Sequence, residues 1–134
     1  KNQFFSRQQK VQVALEHPDA LCWFFDYDLI VNLLNDAVAN ALRYCNSQVL
    51  LTASVQHNRL CIEVQDDGRG FPDFMLNTAA FNMNTPDLAN NHTGLGIFFA
   101  KLIAGAHQNK GERGTVELSN GGRLGGGVFR LSLP

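Results

Sequence analysis

Cysteine is scarce: Cys22, Cys45 and Cys61 are the only three, an odd number with no C-x-x-C spacing. Neither a disulfide framework nor a zinc site follows from such a set, and free thiols suit a reducing cytoplasm. An excess of charge is missing too. Lys and Arg number 11 against 12 Asp and Glu, for a net charge of −1, which leaves no basic footprint for nucleic acid or an anionic membrane surface. Apolar runs such as residues 21–25 fall far short of the roughly 20 residues of a membrane span, and the start of the chain lacks a signal-peptide pattern. There is no G-x-x-x-x-G-K-[ST] phosphate loop, no Gly-rich nucleotide fingerprint after a first strand, no internal repeat and no interdomain linker. What remains is a chain of 134 residues, 45% hydrophobic and 17% charged, of the size and composition of one globular domain with one core.

Val11, Val13 and Leu15 alternate as in a strand, His17-Pro18-Asp19 signals a turn, and residues 21–25 read as a second strand. Asp26 or Asp28 can cap a helix running to about Cys45, with Ile30, Leu33, Leu34, Ala37, Val38, Ala41 and Leu42 on one face. Residues 49–56 and 60–65 form a hairpin around His57-Asn58, with Leu60, Ile62 and Val64 inward. Periodicity dissolves after Gly70. Residues 72–92 carry Asn77, Asn82, Asn84, Asn90 and Asn91 with Pro72 and Pro86, a stretch long enough for a lid or binding loop. Thr93 opens a second helix, whose Leu95, Phe98, Phe99, Leu102, Ile103 and Ala106 are expected to face the core. Residues 115–119 and 128–133 flank a loop rich in glycine and pair as an antiparallel hairpin. The order ββαββ, lid, αββ predicts an α+β two-layer sandwich, with helices on one face of a mixed, largely antiparallel sheet and the other face largely solvated.

Three clusters can carry chemistry. The first helix presents Asn32, Asn35, Asp36, Asn40 and Arg43 on one stripe. Asn and Asp are poor helix formers, but their oxygens suit Mg²⁺, which is held by one or two protein oxygens together with phosphates; a solvated polar face is the plainer alternative. Asp66 continues the inward phase of Leu60, Ile62 and Val64, so its carboxylate needs a donor to offset desolvation, and the exocyclic amine of a purine is one. Gly68 and Gly70 follow it in Asp66-Asp67-Gly68-Arg69-Gly70-Phe71, where a tight turn opened by Asp is the competing explanation. Thr93-Gly94-Leu95-Gly96 stands at a helix start, where free N–H groups favour an anion such as phosphate; a Thr cap softened by glycine would look the same.

Taken in order, Asn40-Ala41-Leu42-Arg43-Tyr44, Asp66-Asp67-Gly68-Arg69-Gly70-Phe71, Thr93-Gly94-Leu95-Gly96-Ile97 and the ending Gly127-Val128-Phe129-Arg130-Leu131-Ser132-Leu133-Pro134 resemble the histidine-kinase branch of the GHKL ATPase superfamily, from about residue 20 onward. The resemblance implies a Bergerat fold over residues 10–134, preceded by a connector tail at 1–9. It implies ATP and Mg²⁺ as cofactors, held between the first helix, the strand ending at Asp66 and the lid. Asn40 matches the metal-ligating Asn, Arg43 the basic residue on phosphate, and Tyr44 the aromatic beside the nucleotide. Asp66 matches the residue that reads adenine, while Gly68, Gly70, Phe71, Thr93, Gly94, Leu95 and Gly96 shape the pocket and lid. Asp36, Asn40 and Arg43 are the expected catalytic set, with Asp36 beside Asn40 at the metal.

The chain departs from the family pattern where Asp36 replaces an Asn, where His92 precedes Thr93 in place of a Gly, and in a lid without Lys or Arg. None of the 4 His fits the family's phosphoacceptor motif, so the acceptor is expected on a separate His-bearing dimerisation domain, with a response regulator downstream and the whole acting in the cytoplasm. Two other functions fit the same boxes. One is an ATPase or serine-protein kinase of the superfamily with Asp36 as base. The other is a degenerate nucleotide-binding regulatory domain.

Overall fold

The computed structural model describes residues 11–76 and 95–134. Its longest helix, α1 (Tyr27–Tyr44), starts where Asp26, in an extended conformation, turns its carboxylate onto the Leu29 N–H at 3.0 Å. Asp26 is thus the cap and Asp28 lies in the first turn, where its charge complements the helix dipole. Ile30, Leu33, Ala37 and Ala41 are buried. Leu42, expected on the same face, is 41% exposed, because it falls one residue past the stripe that Ala41 completes.

Strands β2 (Gln48–Gln56) and β3 (Arg59–Asp66) form the hairpin. Its turn residues His57 and Asn58 have φ of 53° and 63°, the left-handed pair that a two-residue connection needs to match strand twist. Strand β1 (Gln12–Glu16) pairs parallel with β2, whereas β3, β7 (Gly127–Leu133) and β6 (Thr115–Asn120) are antiparallel neighbours. The order is β1-β2-β3-β7-β6. Leu60, Val64, Val116, Leu118, Phe129, Leu131 and Leu133 lie on the face that receives α1 and α3 (Leu95–Gly105), and together with these helices they form the core. This is the α+β sandwich predicted.

Two local expectations are corrected, and two short elements are added to those expected. Residues 21–25 make no strand: Leu21, Trp23 and Phe25 pack on the core in alternation with exposed Cys22 and Phe24, but they join no ladder, and the Trp23 indole donates to the Pro134 carbonyl at 3.1 Å. In α3 the buried residues are Ile97, Ala100 and Ala104, while Phe99 and Leu102 are 50% and 55% exposed; a helix apolar on every side hides its own phase. A two-stranded ribbon, β4 (Gln108–Asn109) and β5 (Glu112–Arg113), turns at Lys110-Gly111, both with positive φ. The short α2 (Asp73–Leu76), with Met75 buried, lies at the root of the expected lid.

The second face of the sheet is less open than expected, since Leu50, Cys61, Gln65, Val128 and Ser132 are buried there. Long polar side chains cross it: Arg130 bonds Glu63 at 2.7 Å, and Arg123 grips Glu16 at 2.8 and 3.1 Å while its N–H donates to Gln65. The glycine-rich loop between β6 and β7 is thereby drawn across to β1. Among the described residues no helix is long and apolar enough to cross a membrane.

Candidate functional site

Asp66 is the last residue of β3, on the helix side of the sheet and 7% exposed. A carboxylate so placed must be hydrogen-bonded. Its Oδ1 accepts from the Gly68 N–H at 2.8 Å and the Gly127 N–H at 3.1 Å, and its main-chain carbonyl accepts from the Gly126 N–H at 3.0 Å. Among the described residues Oδ2 has no hydrogen-bond partner, and none of their side-chain oxygens is both fully buried and unpartnered. Toward the described residues Oδ2 is thus unpaired.

Glycine is needed around it by close approach. A Cβ at Gly68 would collide with the Tyr44 carbonyl, and one at Gly126 would stand 2.5 Å from both Asp66 oxygens O and Oδ1. At Gly127 a Cβ would press on Phe71 at 3.0 Å and on Asp66 Oδ2 at 3.2 Å. Gly126 and Gly127 escaped the sequence reading, which took them as loop residues; their stretch of consecutive glycines was the signal. Gly70, with φ 87°, turns the chain toward Asn120.

Asp67 faces the opposite way. Its Oδ1 accepts from the N–H groups of Asn46, Ser47 and Gln48 at 2.8, 3.0 and 3.2 Å, and Oδ2 accepts from the Ser47 hydroxyl at 3.1 Å. The Ser47 N–H is the main reason that its carboxyl is lowered to about 2, against an opposing effect of burial, with Gln48, Asn46 and the Ser47 hydroxyl adding to it. The turn from α1 into β2 is thus tied to the end of β3. Burial first, and then the Asp67 and Asp66 charges, push the Cys45 thiol up, so the residue ending α1 stays neutral beside two carboxylates.

On α1, Asn32, Asn35, Asp36, Asn40 and Arg43 are all exposed. Asp36 and Asn40 are one turn apart on the same face. Asn40 stands one turn before Tyr44, whose carbonyl abuts Gly68, so the polar face ends against the Asp66 turn. The Arg43 guanidinium lies 5.9 Å from the Tyr44 ring centroid. Phe71 is half-buried and packs on the core. Thr93 and Gly94 lie outside the described residues, as do residues 77–92 of the expected lid and the side chain of Leu95. Gly96 is exposed in the first turn of α3, and no described atom comes within 4 Å of a Cβ built there; packing does not explain that glycine.

The model of one protein family, described as the histidine kinase-, DNA gyrase B-, and HSP90-like ATPases, matches residues 25–134. The chain belongs to this family. Its boundaries enclose α1, the Asp66 turn, the start of α3 and the terminal strands. No curated protein sequence matches significantly. Among solved structures, two nucleotide-free forms of the catalytic domain of histidine kinase ThkA superpose with TM-scores of 0.71 and 0.72 at 20% and 19% identity, covering 92% of this chain and 78% and 80% of theirs. The Acinetobacter baumannii histidine kinase AdeS gives a TM-score of 0.64 at 22% identity, over 98% of this chain and 59% of that one. At these identities the likeness is one of fold.

Proposed function

We propose that this is the ATP-binding catalytic domain of a sensor histidine kinase, which presents MgATP to a His on a dimerisation domain. The observation that carries the reading is the Asp66 carboxylate: one oxygen is fixed by two backbone N–H groups and the other meets no donor among the described residues. The C6 amine of adenine is such a donor, and the glycines packed around the carboxylate let the backbone close on it with no side chain between. Gly68, Gly70 and Phe71 shape that end of the pocket. Tyr44 flanks it. The donor chemistry of α1 fits the other end, because Asp36 and Asn40 offer two hard oxygens one turn apart, suited to Mg²⁺, and Arg43 offers a cation to phosphate. In the sequence Thr93, Gly94, Leu95 and Gly96 lead into α3, and a helix start of this kind suits phosphate.

Bound MgATP supplies the phosphoryl group and its charge compensation. The chain's own residues orient the base, hold the metal and keep the terminal phosphate toward the partner, which is the positioning and electrostatic work that phosphoryl transfer requires. The His-bearing partner, a response regulator downstream and a cytoplasmic setting belong to this reading. Incubating the chain with γ-labelled ATP and a supplied dimerisation domain tests it: label should appear on the partner's His and not on this chain. Label on one of this chain's own His, or release of inorganic phosphate unchanged by the partner, would contradict it.

One observation favours a second reading. Asp36 is exposed and hydrogen-bonds to no described residue, so its carboxylate is free to serve as a base in an ATPase or serine-kinase reaction.

A further inference from the structure

Asn120 ends β6, and its side chain makes two bonds to one distant residue: Oδ1 accepts from the Phe71 N–H at 2.7 Å, and Nδ2 donates to the Phe71 carbonyl at 3.0 Å. These are the two bonds that an antiparallel residue pair exchanges, supplied here by a side chain at the edge of the sheet. At neutral pH an amide presents a donor and an acceptor in one plane at this spacing where a carboxylate only accepts, and the opposite orientation of the group would set like against like. Gly70, at φ 87°, delivers Phe71 to this position, and a Cβ there would stand 2.5 Å from Asn120 Oδ1.

Asn120 also pairs in register with Gly127, whose N–H fixes Asp66 Oδ1 and where a Cβ would press on the Phe71 ring at 3.0 Å. The amide, Phe71, Gly127 and Asp66 therefore form one connected unit. We propose that Asn120 is a positioning residue of the nucleotide site, a clamp that fixes where the chain leaves the sheet beyond Gly70 and so holds Phe71 beside the base-reading carboxylate. The inference rests on the nucleotide reading above. Asn120 is exposed and outside the core, so its removal should unfasten Phe71 without unfolding the sheet.

The test uses Asn120→Ala and Asn120→Asp, with ADP affinity measured by calorimetry and amide exchange by NMR. In Asn120→Ala the Phe71 amide should exchange fast while Val64 and Leu131 stay protected, and ADP should bind about tenfold more weakly, the size expected when paired groups lose their partners. Asn120→Asp keeps the acceptor but sets a second carboxylate oxygen against the Phe71 carbonyl. Its deficit relative to the native chain should be present at pH 7 and narrow toward about pH 4, where a protonated carboxyl can donate again. A loss of protection across the whole sheet, no recovery at low pH, or undiminished ADP binding with a freely exchanging Phe71 amide would each overturn the clamp. A native chain that binds no ADP sinks the nucleotide reading itself, whereas native binding with undiminished variants sinks only the clamp.

Discussion

The Asp66 turn and the polar face of α1 are two ends of one proposed site, built on different principles. At the turn, a buried carboxylate is locked by backbone N–H groups from Gly68 and Gly127, and the glycines around it admit no side chain. On α1, Asp36, Asn40 and Arg43 stand exposed on a helix surface. The first arrangement is preorganised, with one oxygen unpaired among the described residues, and on the proposed reading it would discriminate among ligands through that oxygen. The second is a set of solvated side chains whose geometry, on the proposed reading, would tighten only around a metal and phosphates. Base recognition should therefore be intrinsic to the fold, and phosphate binding should depend on the metal.

Breaking the rigid end should have the largest effect. Asp66→Asn keeps an oxygen for the Gly68 and Gly127 N–H groups but sets an amide donor where the free oxygen stood. ADP affinity by calorimetry should fall on the order of 10- to 100-fold, the size of a donor left facing a donor, with the thermal midpoint nearly unchanged. Unaltered affinity would remove Asp66 from the site. At the exposed end, Asn40→Ala should cost about tenfold in MgATP affinity, on the scale of one lost bond to a charged group, and little in the absence of Mg²⁺. Stability should hold, because exposed substitutions move it by only about 0.5 kcal/mol. Equal losses with and without Mg²⁺ would show that Asn40 does not act through the metal.

Much of this contrast is legible in the sequence, because both ends lie on elements with clear periods. The two-residue period of β3 carries Asp66 inward with Leu60 and Val64, and the helical period of α1 separates Ala37 and Ala41 from Asp36 and Asn40. The supports of the turn are another matter. Gly127 reaches Asp66 across 61 residues and Asn120 reaches Phe71 across 49, and each depends on a backbone group that no pattern of side chains announces. Residues 21–25 have the alternation of a strand because one side rests on the core, yet no neighbouring strand accepts them. In α3 the apolar residues run all the way round, so periodicity could not choose Ile97, Ala100 and Ala104 over Phe99 and Leu102.

Two smaller effects sharpen the comparison. Asp67 ionises more readily in the fold than in the unfolded chain, its carboxyl lowered to about 2 chiefly by the Ser47 N–H. Its contribution to stability is therefore complete above the unfolded value, near 3.9, and is lost as pH falls toward 2. Denaturant midpoints of Asp67→Asn should lie below those of the native chain at neutral pH and converge with them between about pH 4 and pH 2; a constant gap down to pH 2 would contradict the assignment. The smallest effect is expected from Asp36→Asn, which keeps an oxygen for the metal, so phosphotransfer to a supplied partner should be retained or improved. A drop of about 100-fold with MgATP affinity unchanged would instead mark Asp36 as a general base.

The most direct measurement of the central claim needs no mutation: calorimetric titration of the native chain with ADP and with IDP, which differ at C6, where inosine carries a carbonyl in place of the amine. On the proposed reading, Oδ2 of Asp66 would meet a donor in one case and an acceptor in the other. ADP should bind tighter by on the order of tenfold or more. Equal affinity for the two nucleotides would contradict the claim that Asp66 reads the base.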